Sequence, residues 1–146
     1  MKQYKNILFV SLFAMIVWSC ELETSGNGDL DGMWHLVRID TLSTSGTNDL
    51  SNSLIFWSFQ NKLMETSDKT KNNPNVLFRF DRTGTEIKFY NPYINDREDG
   101  DLLVVDPLTL SPYGINGLEE TFTIESLSGS KMILSTSRLR LNFVKM

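Results

Sequence analysis

The chain holds one cysteine and one histidine among its 146 residues, and each scarcity removes a class of chemistry. With Cys20 alone, no intrachain disulfide can form and no thiolate cluster can hold a metal. Small exported domains often use disulfides to support thin cores. This one must rely on packing. With His35 alone, paired-histidine metal sites are excluded, and any nucleophile–histidine arrangement would depend on one residue. No Gly-x-Ser-x-Gly nucleophile elbow occurs. Positive charge is scarce too. No basic cluster is longer than Arg138-Leu139-Arg140, and setting aside Lys2 and Lys5 at the N-terminus leaves 12 basic residues against 18 acidic. A duplex-binding surface needs a basic face to neutralise phosphates, so nucleic acid is excluded as a partner. No unit repeats, which excludes propellers and solenoids. These absences argue against an enzyme and imply no cofactor and no metal.

The longest apolar run is Ile7 to Trp18, preceded by Lys2 and Lys5. A membrane-spanning helix needs ~20 apolar residues, because each adds only ~1.5 Å against a hydrocarbon core of ~30 Å. The run is too short to span and has the form of a signal peptide. It ends at Val17-Trp18-Ser19-Cys20, which resembles the bacterial lipobox: aliphatic at −3, small at −1, then cysteine. Trp18 departs from that pattern, where a small or aliphatic residue is usual. The resemblance implies cleavage before Cys20 and acylation of that residue. The acyl chains would then hold the protein at a membrane, each buried methylene contributing ~0.8 kcal/mol. Residues 21–28 are polar and contain two glycines, the composition of a flexible tether. Glu21 and Glu23 resemble the acidic residues that follow the cysteine in surface-exported lipoproteins of Bacteroidota. The chain thus divides into a leader at 1–19, a lipidated cysteine with its tether at 20–28, and a folded domain at 29–146. The expected location is a bacterial outer membrane, with the face left open.

What the folded part has is aromatics and a period of two. Trp34, Phe56, Trp57, Phe59, Phe78, Phe80, Phe89, Phe122 and Phe143 are spread along it, each a large apolar payload. Val76, Phe78 and Phe80 alternate with Leu77, Arg79 and Asp81. Asp81-Arg82-Thr83-Gly84 then turns, and Ile87 and Phe89 alternate with Glu86 and Lys88. That pattern is a β-hairpin. A second hairpin turns at Ser128-Gly129-Ser130-Lys131, and a last strand sets Leu139, Leu141 and Phe143 against Arg138, Arg140 and Asn142. Earlier strands are expected at Met33 to Ile39, Leu54 to Phe59 and Leu63 to Thr66. Alternation does not settle which way Trp34 or Trp57 points, and no window predicts a helix. About eight strands fit an all-β, antiparallel up-and-down barrel, with a β-sandwich as the alternative.

Asp31-Gly32-Met33-Trp34-His35-Leu36 resembles the Gly-x-Trp opening of lipocalins. The closing strands, from Phe122 to Phe143, look like those of the lipocalin-like domains found in small Bacteroidota lipoproteins. The resemblance covers Asp31 to Met146. It implies that Trp34 plugs the closed end of the barrel under a stacked arginine from the last strand, with Arg138 and Arg140 as candidates. It also implies a cavity for one small apolar or amphipathic ligand.

His35, beside Trp34 in an apolar strand, reads as a core or barrel-wall residue. Asp96-Arg97-Glu98-Asp99-Gly100-Asp101 gathers four carboxylates, but Arg97 falls on a ligand position of an EF-hand loop, and a solvated loop tip fits better. Asn91 to Gly117 is a long irregular segment holding three of the four prolines. Loops this long often serve binding. Tyr90, Tyr93 and Tyr113, together with Trp34 and Trp57, are therefore the candidate ligand contacts, and packing is the plainer role for the tyrosines. Two functions remain: a lipid-anchored protein that holds a small apolar ligand, or an interaction module that docks onto an envelope partner.

Overall fold

The computed structural model describes residues 25–146. The leader, Cys20 and the first part of the tether lie outside the described residues. The ten strands are β1 (Gly32–Thr41), β2 (Gly46–Asp49), β3 (Ile55–Gln60), β4 (Leu63–Asp68), β5 (Val76–Arg82), β6 (Glu86–Ile94), β7 (Leu102–Leu103), β8 (Glu120–Leu127), β9 (Lys131–Ser135) and β10 (Leu139–Lys145). Eight of them close into an antiparallel barrel in the order β1-β3-β4-β5-β6-β8-β9-β10, and β10 pairs back onto β1. Closure at β1–β10 rules out the sandwich. β2 and β7 stand outside the cycle: β2 pairs with the far half of β1, and β7 pairs only with the end of β6.

The alternation read from the sequence is what the barrel wall uses. In β5, Val76, Phe78 and Phe80 are buried while Arg79 and Asp81 are exposed; in β10, Leu141 and Phe143 are buried. Trp34, Leu36, Trp57 and Phe59 all face inward. In β1 the phase changes at a bulge between Leu36 and Arg38, so Ile39 packs on the core next. A bulge inserts one unpaired residue and so moves later side chains to the other face. Phe56, on the opposite side of β3, stacks on His35 at 5.0 Å, and His35 Nε2 lies 2.7 Å from the Ser53 carbonyl. Of the core and wall roles its setting allows, His35 takes the wall.

The strand directions define two ends. Trp34, Phe59 and Phe80 lie toward one, which is also where Ser25 to Leu30 pack. Ile39, Val76 and Leu141 lie toward the other, where the segment after β7 crosses. Composition made residues 25–28 part of a flexible tether, yet they are docked. Asn27 is buried, its Nδ2 donates to the Asn61 carbonyl at 2.7 Å, and its own carbonyl accepts from Arg82 at 2.8 Å. A polar stretch need not bury apolar area to be held when its amides find partners on the barrel.

Candidate functional site

The interior of the barrel, where a ligand was expected, is filled with rings. Phe89 lies at its centre, with centroids of Trp57, Phe59, Phe78, Phe80 and Phe122 at 5.4 to 6.2 Å. Trp57 also meets Phe143 at 4.9 Å. Barrels of eight strands are just wide enough for side chains to fill, and rings of this size suit the task. Each contributes roughly 1.5–3 kcal/mol by leaving water. Polar atoms are sparse within. Thr66 Oγ1 donates to the Val76 carbonyl at 3.4 Å, and the Trp57 indole N–H has no hydrogen-bond partner.

One end is closed by Trp34. Its indole N–H donates to the Leu30 carbonyl at 2.8 Å, so the short 3₁₀ turn Gly28–Leu30 is pinned across the opening. Gly32 has φ +108°, a conformation other residues rarely adopt, and a Cβ there would lie 3.1 Å from Lys145 Cε. The Lys145 ammonium sits 4.9 Å from the Trp34 ring centre and donates to the Asp29 carbonyl at 2.8 Å. The cation over the plug is therefore Lys145, not Arg138 or Arg140. Register is the reason: Trp34 pairs with Lys145, whereas Arg140 pairs with Asp40, six residues or about 20 Å further along β1. Arg140 instead bonds Glu125 at 2.9 Å on the outer wall and holds that carboxyl below its ordinary range.

The other end is closed by a 3₁₀ helix, Pro107–Tyr113, within the segment expected to be irregular. Asp106 caps it, accepting from the Leu108 amide at 2.9 Å; Pro107 starts it; Gly114 ends it in the left-handed conformation. Those three residues form the usual start and stop signature of a helix and could have been read from the sequence. Leu110, Tyr113 and Ile115 point into the barrel mouth. The Tyr113 hydroxyl donates to the Pro74 carbonyl at 2.6 Å. Burial, with the carboxylates of Asp68 and Glu65 nearby, pushes its phenol well above the ordinary value, so it stays a donor.

The candidate contacts do not converge. Trp34 and Trp57 are core, Tyr113 holds down the cap, and Tyr90 and Tyr93 lie on the outer wall of β6. Asn91, between them, has φ +51°. Asp96 folds its own loop by accepting from the Glu98 amide at 2.8 Å. Open hollows lie outside the barrel: one of about 740 Å³ beside Asn27, Lys62, Arg82 and Leu127, and one of about 510 Å³ beside Asp68, Asn73 and Asn95. Among the described residues, no three carboxylate, histidine or cysteine side chains come together as a metal site would need.

Comparison with known proteins agrees with this architecture. A family model for a lipocalin-like domain matches residues 13–146. No curated protein matches the chain. Among solved structures, a lipocalin-like protein from Bacteroides uniformis is similar at a TM-score of 0.62 and 21% identity, covering 82% of this chain and 100% of the other. An uncharacterized protein from Bacteroides eggerthii is similar at 0.59 and 17%, covering 80% and 99%. At these identities the likeness speaks for the fold alone.

Proposed function

The chain belongs to the lipocalin-like domain family, and from that premise we propose that it is an exported, lipid-anchored, non-enzymatic binding module of the bacterial envelope that works through its outer surface. The packing of Trp57, Phe89, Phe122 and Phe143 carries this reading: a barrel filled by its own rings and capped at both ends leaves its rim and wall for recognition. The lipobox at Cys20 supplies the expected anchor.

A second reading keeps a small amphipathic ligand inside, beneath a displaced Pro107–Tyr113 cap. The observation in its favour is the Trp57 indole N–H, buried without a partner and able to donate to a polar head.

Native protein extracted from its own host should carry acyl mass at Cys20, and Cys20→Ala should leave the membrane fraction. Photo-cross-linking residues placed singly at Leu63, Thr47 and Leu108 should give a discrete protein adduct from one face. Adducts from none of them, with a small lipid retained in native mass spectra, would transfer the function to the interior.

A further inference from the structure

We propose that the free edge of β7 and the apolar rim that follows it form a docking site for an extended segment of a partner protein that alternates apolar with basic residues. The proposal rests on the surface-binding reading above and names the partner's chemistry.

Each strand of the closed barrel has a neighbour on both sides, whereas β7 and β2, outside the cycle, have one each. Leu102 and Leu103 pair with Ile94 and Tyr93 of β6, and nothing covers their other side. An exposed strand edge presents unpaired backbone donors and acceptors to which a further strand can add. The other strand outside the cycle, β2, is polar throughout: Gly46, Thr47, Asn48 and Asp49. β7 and its continuation are not. Leu102, Leu103, Val105 and Leu108 are 57%, 55%, 77% and 74% exposed. Between them Val104 is buried, and its amide donates to the Pro92 carbonyl at 2.9 Å. The apolar side chains therefore stand on a pinned backbone. A held apolar edge of this kind is the sort of surface that marks an interaction site.

Charge selects the occupant. Glu98, Asp99, Asp101 and Asp106 are exposed around the leucines, and Arg97 is the only base from Asp96 to Tyr113. None of the four carboxylates has an ion-pair partner among the described residues. A second copy of this chain would bring the same carboxylates to the contact, and an anionic lipid surface would be repelled. Lysine or arginine on a partner strand would meet these acids, while its apolar side chains cover Leu103 and Val105.

The test uses the full-length chain in detergent micelles and a fluorescein-labelled octapeptide alternating lysine and valine, read by anisotropy. Binding should fall at least tenfold in Leu103→Asp, in Val105→Asp and in the triple variant Glu98→Lys, Asp99→Lys, Asp101→Lys, and should weaken with salt. These positions are exposed, so unchanged melting temperatures should accompany the loss. Lysine–serine and glutamate–valine octapeptides should bind at least tenfold more weakly than lysine–valine. No binding, equal binding by all variants, or equal binding of the lysine–serine peptide would overturn the proposal. So would phosphatidylcholine vesicles captured through Leu103, or a self-association that Leu103→Asp abolishes. If the peptide fails while Leu63 or Thr47 still cross-links a partner, this site falls and the broader surface-binding reading stands.

Discussion

Gly114 holds φ +81° where the Pro107–Tyr113 cap ends, and a Cβ there would lie 2.7 Å from Leu141 Cδ2 and 3.3 Å from Ile39 Cδ1. Leu141 is fully buried, so its side chain has little room to move aside. Gly114→Ala should destabilise the protein by about 1–3 kcal/mol, through backbone strain and overpacking together. A denaturant melt measures this, and an unchanged midpoint would mean that the cap is not seated on Leu141. At this scale the sequence is only partly legible. Gly32 and Trp34 are legible through their resemblance to the Gly-x-Trp opening of lipocalins, which implies a tight backbone entry and a plug. Lys145 does not announce its role. Which cation crosses Trp34 depends on register, and the register depends on the bulge between Leu36 and Arg38, which no local pattern signals.

The cap and the loop between β4 and β5 act as one element, because Tyr113 bonds the Pro74 carbonyl and Asp68 organises that loop. Asp68 accepts from the Thr70 amide at 2.8 Å and from Asn73 Nδ2 at 2.9 Å. Burial pushes the Asp68 carboxyl up, but the hydrogen bonds from Thr70 and Asn73 outweigh it and hold the pKa below the ordinary 3.8. A carboxylate with a depressed folded pKa contributes stability that is present above its unfolded value and lost as pH falls through the folded one. The wild-type protein should therefore lose this contribution below about pH 4. Asp68→Asn sets an amide N–H against that of Asn73 and should cost about 1–3 kcal/mol at neutral pH. The gap to wild type should narrow as pH drops from 5 to 2, and a gap of constant size would show that the charge of Asp68 does not hold the loop. The strands were easier to foresee than the cap. Alternation in β5, β6 and β10 is a period carried by many residues, whereas Pro107–Tyr113 is short, has Pro112 inside it and is held by tertiary contacts.

The whole molecule is polar in its layout. Ser25 enters at the Trp34 end, while the cap and β7 lie at the opposite one, across a barrel about 25 Å long. From Cys20 to Ser25 the chain can reach at most about 18 Å. Anchored at Cys20, the protein would therefore rest with its Trp34 end near the headgroups and hold the acidic, leucine-bearing rim toward an approaching partner. The sequence made the barrel and its closed end legible through Gly-x-Trp and the spacing of aromatics. It did not reveal that the same rings would fill the interior, because alternation tells which face a ring occupies and not how much space is left between facing walls. The layout leads to a labelling result. In proteoliposomes of the acylated protein, Leu108→Cys should react several-fold faster than Lys62→Cys with a bulky polyethylene-glycol maleimide, since Lys62 lies in the turn beside Asn27 at the Trp34 end. Equal rates would mean that the barrel does not stand on its Trp34 end, and the rim would then lose its outward orientation.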